Sequence, residues 1–500
     1  MIALSANPSS AAWHQAKTKH FIIFADEEPD ELRQYAERLE RFDQSVRAVR
    51  RTPDPPLTDA NRLNVFVVKD LYNVERLARS SDVAGFYVVR ASGSAAFVPR
   101  KAGSKHRKWD IDAEAIFFHE YAHHLQLQYA DVALPLWVTE GFAEFFAATD
   151  LRDDGSTVIG VVPAYRAPAL FSLHALSLHE MLGAKTSFEG TEFIETYGLG
   201  WLLTHFLTFD RSRHGQLDRY VGEIQKGNDP LSAAKTAFGD LGRLGRQLNA
   251  YLRQKKLPHL ILNRIEVPPA SIQVRALTPA EAAIIGVHMR SRSGVDKRTG
   301  RRVAADARKI AAGYPDDPFV QAALAEAEFD VENYPAAEAA ADRALRADPK
   351  NFGALVLKGR ARMELARAGM ARADWGEIRN WFLRANSVDR EAAEPLLHFY
   401  NTYLYAGARP TKNAVDGLLY ALALAPRDSK LRIVAVRQMV MDNRIADARK
   451  YFAPFAFQPH AKKDLRDAAA GVVAALKAGD RSAAMGHLAE AEKVLKKSAD

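Results

Sequence analysis

The hydrophobic positions of this chain change their period several times, and each change marks an element. His20-Phe21-Ile22-Ile23-Phe24 is a short apolar and aromatic run, which predicts a buried strand. Leu32, Tyr35, Leu39, Phe42, Val46 and Val49 then recur at alternating steps of three and four, the spacing of one helical face. After a Pro-rich turn at Pro53 to Pro56, Leu63 to Val68 reads as a second strand. Gly85 to Arg90 and Ser94 to Val98 flank a Ser-Gly turn and read as a β-hairpin. A small α/β layer is expected from these elements.

The pattern then becomes apolar on nearly every side of a predicted helix. Asp110 or Asp112 can cap it, and Ala115, Ile116, Phe117, Phe118, Ala122 and Leu125 surround it, so the helix belongs in the interior. His119, Glu120 and His123 stand in its middle, where they are costly unless something pairs with them. Beyond Pro135, Trp137 to Ala148 predicts a second helix with Glu140 and Glu144 on one face. Tyr197 to Leu207 predicts a third, and the helical pattern runs on to about Leu257. Residues 258 to 298 lose the pattern. Leu260 to Leu262, Ile265 to Val267 and Ile272 to Val274 lie around Pro268-Pro269, and the segment reads as a linker with short strands.

From Thr299 onward the chain is Ala-rich, charged and helical, and it repeats. Pro315 and Pro349 stand 34 residues apart. Leu324, Ala325, Ala337 and Ala344 fall between them where a tetratricopeptide repeat places its small packing residues. Looser copies follow, with an insertion around Met370 to Trp381, and a helical solenoid of another type is the competing reading. Four parts are expected: an α/β subdomain over 13–108, a helical subdomain over 109–257, the linker over 258–298 and a repeat array over 299–500.

Composition narrows the function classes. The 500 residues are 48% hydrophobic and 26% charged, with no apolar run near the roughly 18 residues of a membrane span. The net charge is +8, but Lys and Arg are interleaved with Asp and Glu. With no nucleic-acid motif, that charge reads as a solvated surface. There is no cysteine, so a bound metal must rest on histidines and carboxylates. The start of the chain has no secretory signal, which makes the cytoplasm the default location. Ser9-Ser10-Ala11-Ala12 is similar to the small-residue end of a leader, and with a longer N-terminus the location would be exported or periplasmic.

The chemistry centres on His119-Glu120-Tyr121-Ala122-His123. Histidines four residues apart lie about 40° apart around a helix, so both imidazoles can reach one ion. Glu120, one step round, can hold a water bound to it. His124 is turned away and reads as a partner or core histidine. His179-Glu180 looks like a second start of the motif, but Gly183 occupies the place of the second histidine.

Trp137-Val138-Thr139-Glu140-Gly141-Phe142-Ala143-Glu144 resembles the second metal helix of the gluzincin metallopeptidases. The closest similarity is to their peptidase-MA-like members, with the alanyl-type aminopeptidases more distant. The resemblance implies an α+β zincin-like N-terminal half, before an all-α tetratricopeptide-like solenoid. It implies one zinc ion per chain on His119, His123 and Glu140, the last with 16 residues intervening after His123. Glu120 would be the general base. Phe193 to Leu207 is similar to the tyrosine-bearing helix of the same families, and Tyr197 would support the transition state, with His205 as the alternative donor. Glu144, one turn past Glu140, is placed to orient a ligand histidine.

The aminopeptidases carry a glutamate for the substrate amine in a Gly-x-Met-Glu-Asn segment. Here that stretch is Gly93-Ser94-Ala95-Ala96-Phe97, without an acid. An endopeptidase is therefore expected rather than an aminopeptidase, with Ser94 to Val98 pairing as an edge strand with an extended peptide. The expected function is zinc-dependent hydrolysis of a peptide or protein substrate, with the repeats holding a protein partner. The rival is a non-catalytic repeat scaffold whose zincin-like domain keeps zinc for structure.

Overall fold

A computed structural model describes residues 13–81, 83–101, 111–128, 134–171, 176–183, 188, 190–456 and 463–497. Asp110 and Ser9 to Ala12 lie outside the described residues. Among the described residues no helix is long and apolar enough to cross a membrane.

The N-terminal part is built on a six-stranded sheet. Its strands are β1 (Trp13–Lys17), β2 (Phe21–Asp26), β3 (Leu63–Asp70), β4 (Phe86–Val88) and β5 (Ala95–Lys101), with a strand from far along the chain at one edge. β2, β3 and β5 are parallel to one another, and β1 and β4 run antiparallel to their neighbours. Period-two alternation divides the sheet between two cores. Phe21, Ile23, Val65, Val67, Ala96 and Val98 face α1 (Pro29–Arg50) and the helical subdomain. Ile22, Phe24, Phe66, Ala95 and Phe97 face the other way.

Three features differ from the sequence expectation. β1 was not predicted, because its alternation of half-buried and buried residues is carried by polar side chains in Trp-His-Gln-Ala-Lys. α2 (Leu71–Ala78) was also missed, and Asp70 caps it. Third, β5 is not an edge strand. It pairs with β3 on one side and β4 on the other, so the three-residue β4 forms the edge. The hairpin itself forms as expected, with Phe86 opposite Phe97.

The helical subdomain contains α3 (Ala113–Gln128), α4 (Leu136–Ala147), α5 (Ala167–Phe171), α6 (Leu178–Leu182), α7 (Gly190–Phe209), α8 (Gln216–Gln225), α9 (Pro230–Phe238) and α10 (Leu241–Leu252). A small sheet of β6 (Asp150–Leu151), β7 (Thr157–Ile159) and β8 (Leu260–Leu262) lies beside them.

The expected linker is built into the fold. β8 closes the small sheet against β7, and β9 (Gln273–Ala276) is the sixth strand of the large one, antiparallel to β1. α11 (Pro279–Ser293), which the sequence reading did not predict, follows a Thr278–Glu281 capping box. Leu277 and Ile285 cover the sheet's second core. The boundary at residue 298 therefore divides helices that share a core, since Ile284 and Val287 of α11 pack with Val303 and Ala307 of the next helix.

The remaining helices form antiparallel hairpins: α12 (Lys297–Ala311), α13 (Pro318–Asp330), α14 (Tyr334–Ala347), α15 (Phe352–Arg367), α16 (Trp375–Val388), α17 (Ala393–Tyr405), α18 (Lys412–Leu424), α19 (Ser429–Met441), α20 (Ile445–Ala456), α21 (Lys463–Ala478) and α22 (Arg481–Lys497). Ala325, Ala337 and Ala344 are fully buried, as the repeat pattern requires, and Leu324 nearly so. The inserted residues shorten to the connection after Arg367, because Trp375 already opens α16.

The array curves back onto the N-terminal part and grips its β4–β5 turn. Asp428 Oδ2 accepts from Ala91 N at 2.7 Å, and Arg292 Nη2 donates to the carbonyls of Ser92 and Gly93 at 2.9 and 2.7 Å. Asn61 donates to the Glu391 carbonyl at 2.9 Å. Between the array and the N-terminal half lies a cavity of about 1000 Å³, lined by α11, α13, α15, α17 and α19 from one side and by the hairpin turn, Leu134 and Thr139 from the other.

Candidate metal centre

α3 is held between the sheet and α1. The Phe118 ring stacks on Phe42 at 3.8 Å between centroids, and Tyr121 donates to Asp43 Oδ1 at 2.8 Å. Its N-terminus is capped by Asp112, which accepts from Ala115 N at 2.7 Å. α4 lies against α3, with Gln126 donating to the Val138 carbonyl at 3.2 Å. α4 also crosses α7 where both lack a side chain. A Cβ on Gly141 would meet the Gly200 carbonyl and lie 2.6 Å from Thr204 Oγ1, and one on Gly200 would lie 2.9 Å from the Trp137 carbonyl oxygen. That backbone contact sets Glu140, one residue before Gly141, and Tyr197, one turn before Gly200, around α3.

His119, His123 and Glu140 converge. The two Nε2 atoms are 3.1 Å apart, and each is 3.4 Å from Glu140 Oε2. All three residues are at most 9% exposed. Donors about 2.1 Å from a tetrahedral ion are separated by about 3.4 Å, so the spacing fits zinc. The donor set fits as well, since two neutral imidazoles and a carboxylate leave one coordination position for water or substrate.

Glu144 lies beneath this triad. Its Oε1 is 3.1 Å from His119 Nδ1 and accepts from Arg166 Nη2 at 2.6 Å. Burial works against the Glu144 charge, but Arg166 and His119 outweigh it and hold the carboxyl at about 2. Glu140 is likewise held well below the usual carboxylate range, because His123 and His119 overcome its burial. His119 moves the other way: burial opposes its charge, yet Glu140 and Glu144 raise it to about 10. Negative charge is thus gathered beside His119, and Arg166 neutralises Glu144.

Tyr197 packs its ring on His119 at 5.8 Å and 21°, and the Arg166 guanidinium lies 4.6 Å from the ring centre. Burial and Glu140 push its phenol far up, so the hydroxyl keeps its proton. Glu120 is half-buried and makes no hydrogen bond or ion pair with the described residues. Arg166 was missed by sequence reasoning: it sits in a single-turn helix over Ala164–Arg166, and nothing around it in the chain marks it.

The other histidines are engaged elsewhere. His205 is fully buried, with Nδ1 2.9 Å from the Tyr251 hydroxyl and Nε2 3.0 Å from the Gly160 carbonyl oxygen, so neither nitrogen is available as a transition-state donor. His124 Nδ1 is 2.6 Å from the Tyr87 hydroxyl, and burial, reinforced by Arg427, lowers its pKa to about 3. Glu180 closes a capping box with Ser177, which accounts for the His179-Glu180 pair.

A second carboxylate and histidine cluster, His20, Asp43 and Asp54, already satisfies itself. His20 Nδ1 is 2.7 Å from Glu40 and Nε2 2.9 Å from Asp54, while Asp43 takes Arg47 at 2.8 Å and the Tyr121 hydroxyl. It reads as an ion network that anchors the metal helix.

Residues 111–229 match a family described only as a protein of unknown function, DUF1570. That stretch contains every residue of the candidate centre. No curated protein matches. Among solved structures, one from a functional characterisation of Pseudomonas aeruginosa pilF is 16% identical, covering 44% of this chain and all of that one with a TM-score of 0.33. A thermophilic TPR protein of Thermus thermophilus is 18% identical, covering 41% of this chain and 96% of its own with a TM-score of 0.30. The chain is thus similar over residues 111–229 to a family without an assigned activity.

Proposed function

We propose that the protein is a zinc-dependent peptidase of gluzincin type. The observation that carries the reading is the mutual spacing of His119 Nε2, His123 Nε2 and Glu140 Oε2 at 3.1 and 3.4 Å, which suits a tetrahedral ion with one position to spare. When bound there, zinc supplies Lewis acidity that polarises a carbonyl and acidifies water. A purely structural site has no use for a general base beside it, and Glu120 is present, half-exposed and uncommitted.

Each residue then has a task. Glu120 takes a proton from the attacking water and delivers it to the leaving amine. Glu144, fixed by Arg166 with its Oε1 3.1 Å from His119 Nδ1, favours a proton on that nitrogen, which would leave Nε2 unprotonated for the ion. Tyr197, kept protonated, donates to the oxyanion of the tetrahedral intermediate, a contact whose loss costs about 10²–10³ in rate. The absence of an acid at Gly93 to Phe97 still argues against an amine-reading exopeptidase. On this side of the sheet an added peptide strand would pair with β4, since β5 is enclosed. The array adds a concave surface of the kind repeat proteins use to hold other proteins.

The test is elemental analysis and a peptide-library digest of wild type and Glu120→Gln. About one zinc per chain is expected in both, with cleavage by wild type alone. Equal cleavage by the variant would sink the mechanism, and a wild type without zinc would sink the centre. Tyr197→Phe should keep zinc and lose rate.

A further inference from the structure

We propose that Arg427, carried by the repeat array, is the receptor for a carboxylate of the substrate, so that the array completes the binding site of the metal domain. The inference rests on the peptidase reading and names the substrate class: peptides with an acidic end or side chain.

Arg427 lies in the connection between α18 and α19, more than 280 residues beyond the zinc ligands in the chain. The curvature of the array brings it back to the face of the helical subdomain. It lines the cavity of about 1000 Å³ whose opposite wall includes Thr139, the neighbour of Glu140. Its guanidinium lies 5.0 Å from the centre of the Tyr87 ring, and the Tyr87 hydroxyl is 2.6 Å from His124, the neighbour of His123. Two contacts thus separate Arg427 from the metal helix.

What distinguishes Arg427 from the other arginines in the same wall is that no carboxylate or carbonyl of the described residues holds it. Arg360 is paired with Glu394 at 3.0 Å, and Arg292 is spent on the Ser92 and Gly93 carbonyls. Arg427 makes no ion pair with the described residues, and its Nη1 is buried without a hydrogen-bond partner. A guanidinium stays charged in a protein interior, and leaving one unpaired is costly. The Tyr87 ring offsets part of that cost. A carboxylate, which matches the guanidinium fork with two parallel hydrogen bonds, would offset the rest. Burial lowers the Arg427 pKa, and the Tyr87 hydroxyl and the Glu120 carboxylate act against that, so the guanidinium is within electrostatic reach of the proposed general base. Asp428, the next residue, is fixed by Ala91 N at 2.7 Å and by Leu431 N at 2.8 Å, which holds this corner of the array in place.

Binding tests the proposal separately from catalysis. The zinc-loaded full chain carrying Glu120→Gln is titrated with three fluorescent hexapeptides otherwise free of acidic residues: a free acid, its C-terminal amide, and an amide with one internal Glu. The free acid or the Glu peptide should bind about tenfold more tightly than the plain amide, and which of them does so tells a chain end from a side chain. Adding Arg427→Gln should bring that ratio to about one. Arg427→Lys should retain part of it, which excludes misfolding as the cause. A ratio near one in the parent, a ratio that survives Arg427→Gln, or no binding of any probe would overturn the proposal. Hydrolysis of the same peptides by wild type is scored apart: a carboxylate preference without hydrolysis removes the peptidase reading alone, and hydrolysis without the preference removes this one alone.

Discussion

Gly141 and Gly200 place the backbones of α4 and α7 in direct contact, with the Gly141 nitrogen only 3.2 Å from where a Gly200 Cβ would stand. Neither glycine carries chemistry. Both set how closely Glu140 and Tyr197 approach His119, so the Glu-Gly pair of α4 is a packing device as much as a ligand motif.

Gly200→Ala should therefore force the two helices apart. Overpacking of this kind costs about 1–3 kcal/mol, and the displacement of Glu140 should weaken zinc binding as well. Urea unfolding and a competitive chelator titration read the two effects. Wild-type values in both would show that the crossing has room to yield.

Glu144→Gln should lower zinc affinity by about 10–100-fold while leaving the three ligands in place. The neutral amide no longer balances Arg166 or holds His119 Nδ1 as a donor. A chelator titration of the full chain checks the expectation, and unchanged affinity would mean that Glu144 only serves Arg166.

Truncation should depend sharply on where the chain is cut. Ending after residue 293 keeps β9 and α11, so the large sheet should still form. Ending after residue 256 removes both, exposing the sheet's second core at Phe24, Phe66 and Phe97. Leu277 and Ile285 are each worth about 1.5–3 kcal/mol when fully buried. Thermal unfolding of the two proteins should differ by several degrees or more, and equal melting would make the segment a linker after all.

The His20 network gives a pH dependence of defined sign. Burial lowers the His20 pKa, but Glu40 and Asp43 overcome it and raise the value above 6.5. A raised histidine contributes stability that is fully present below 6.5 and lost as pH rises through the folded value. Burial raises the Glu40 pKa, His20 outweighs it, and the net value falls below 4.5, so the Glu40 contribution is present above 4.5 and lost at lower pH. Asp43, raised by burial, acts in the opposite sense to Glu40. The stability difference between wild type and His20→Gln should accordingly shrink between pH 6 and 9 in urea unfolding. A constant difference would mean that His20 is neutral in the folded state.

The sequence by itself determined the local layers. The three-and-four spacing from Leu32 to Val49 gave α1, the all-round apolar pattern gave a buried α3, and the 34-residue spacing of Pro315 and Pro349 gave the helical hairpins. It also placed His119 and His123 on one face, because the i, i+4 geometry of a helix is a local property, whereas Glu140 joined them through the resemblance of Trp137 to Glu144 to a known metal helix. Tertiary structure decided what no window along the chain contains. β9 and α11 belong to the first sheet because Leu277 and Ile285 have an apolar face to cover there, and β5 is enclosed because β4 folds over it. Arg166 and Arg427 lack any periodic or motif signal. Their positions come from charges that meet only after folding, Arg166 at the buried Glu144 and Arg427 at the chamber wall that the array brings to the metal helices.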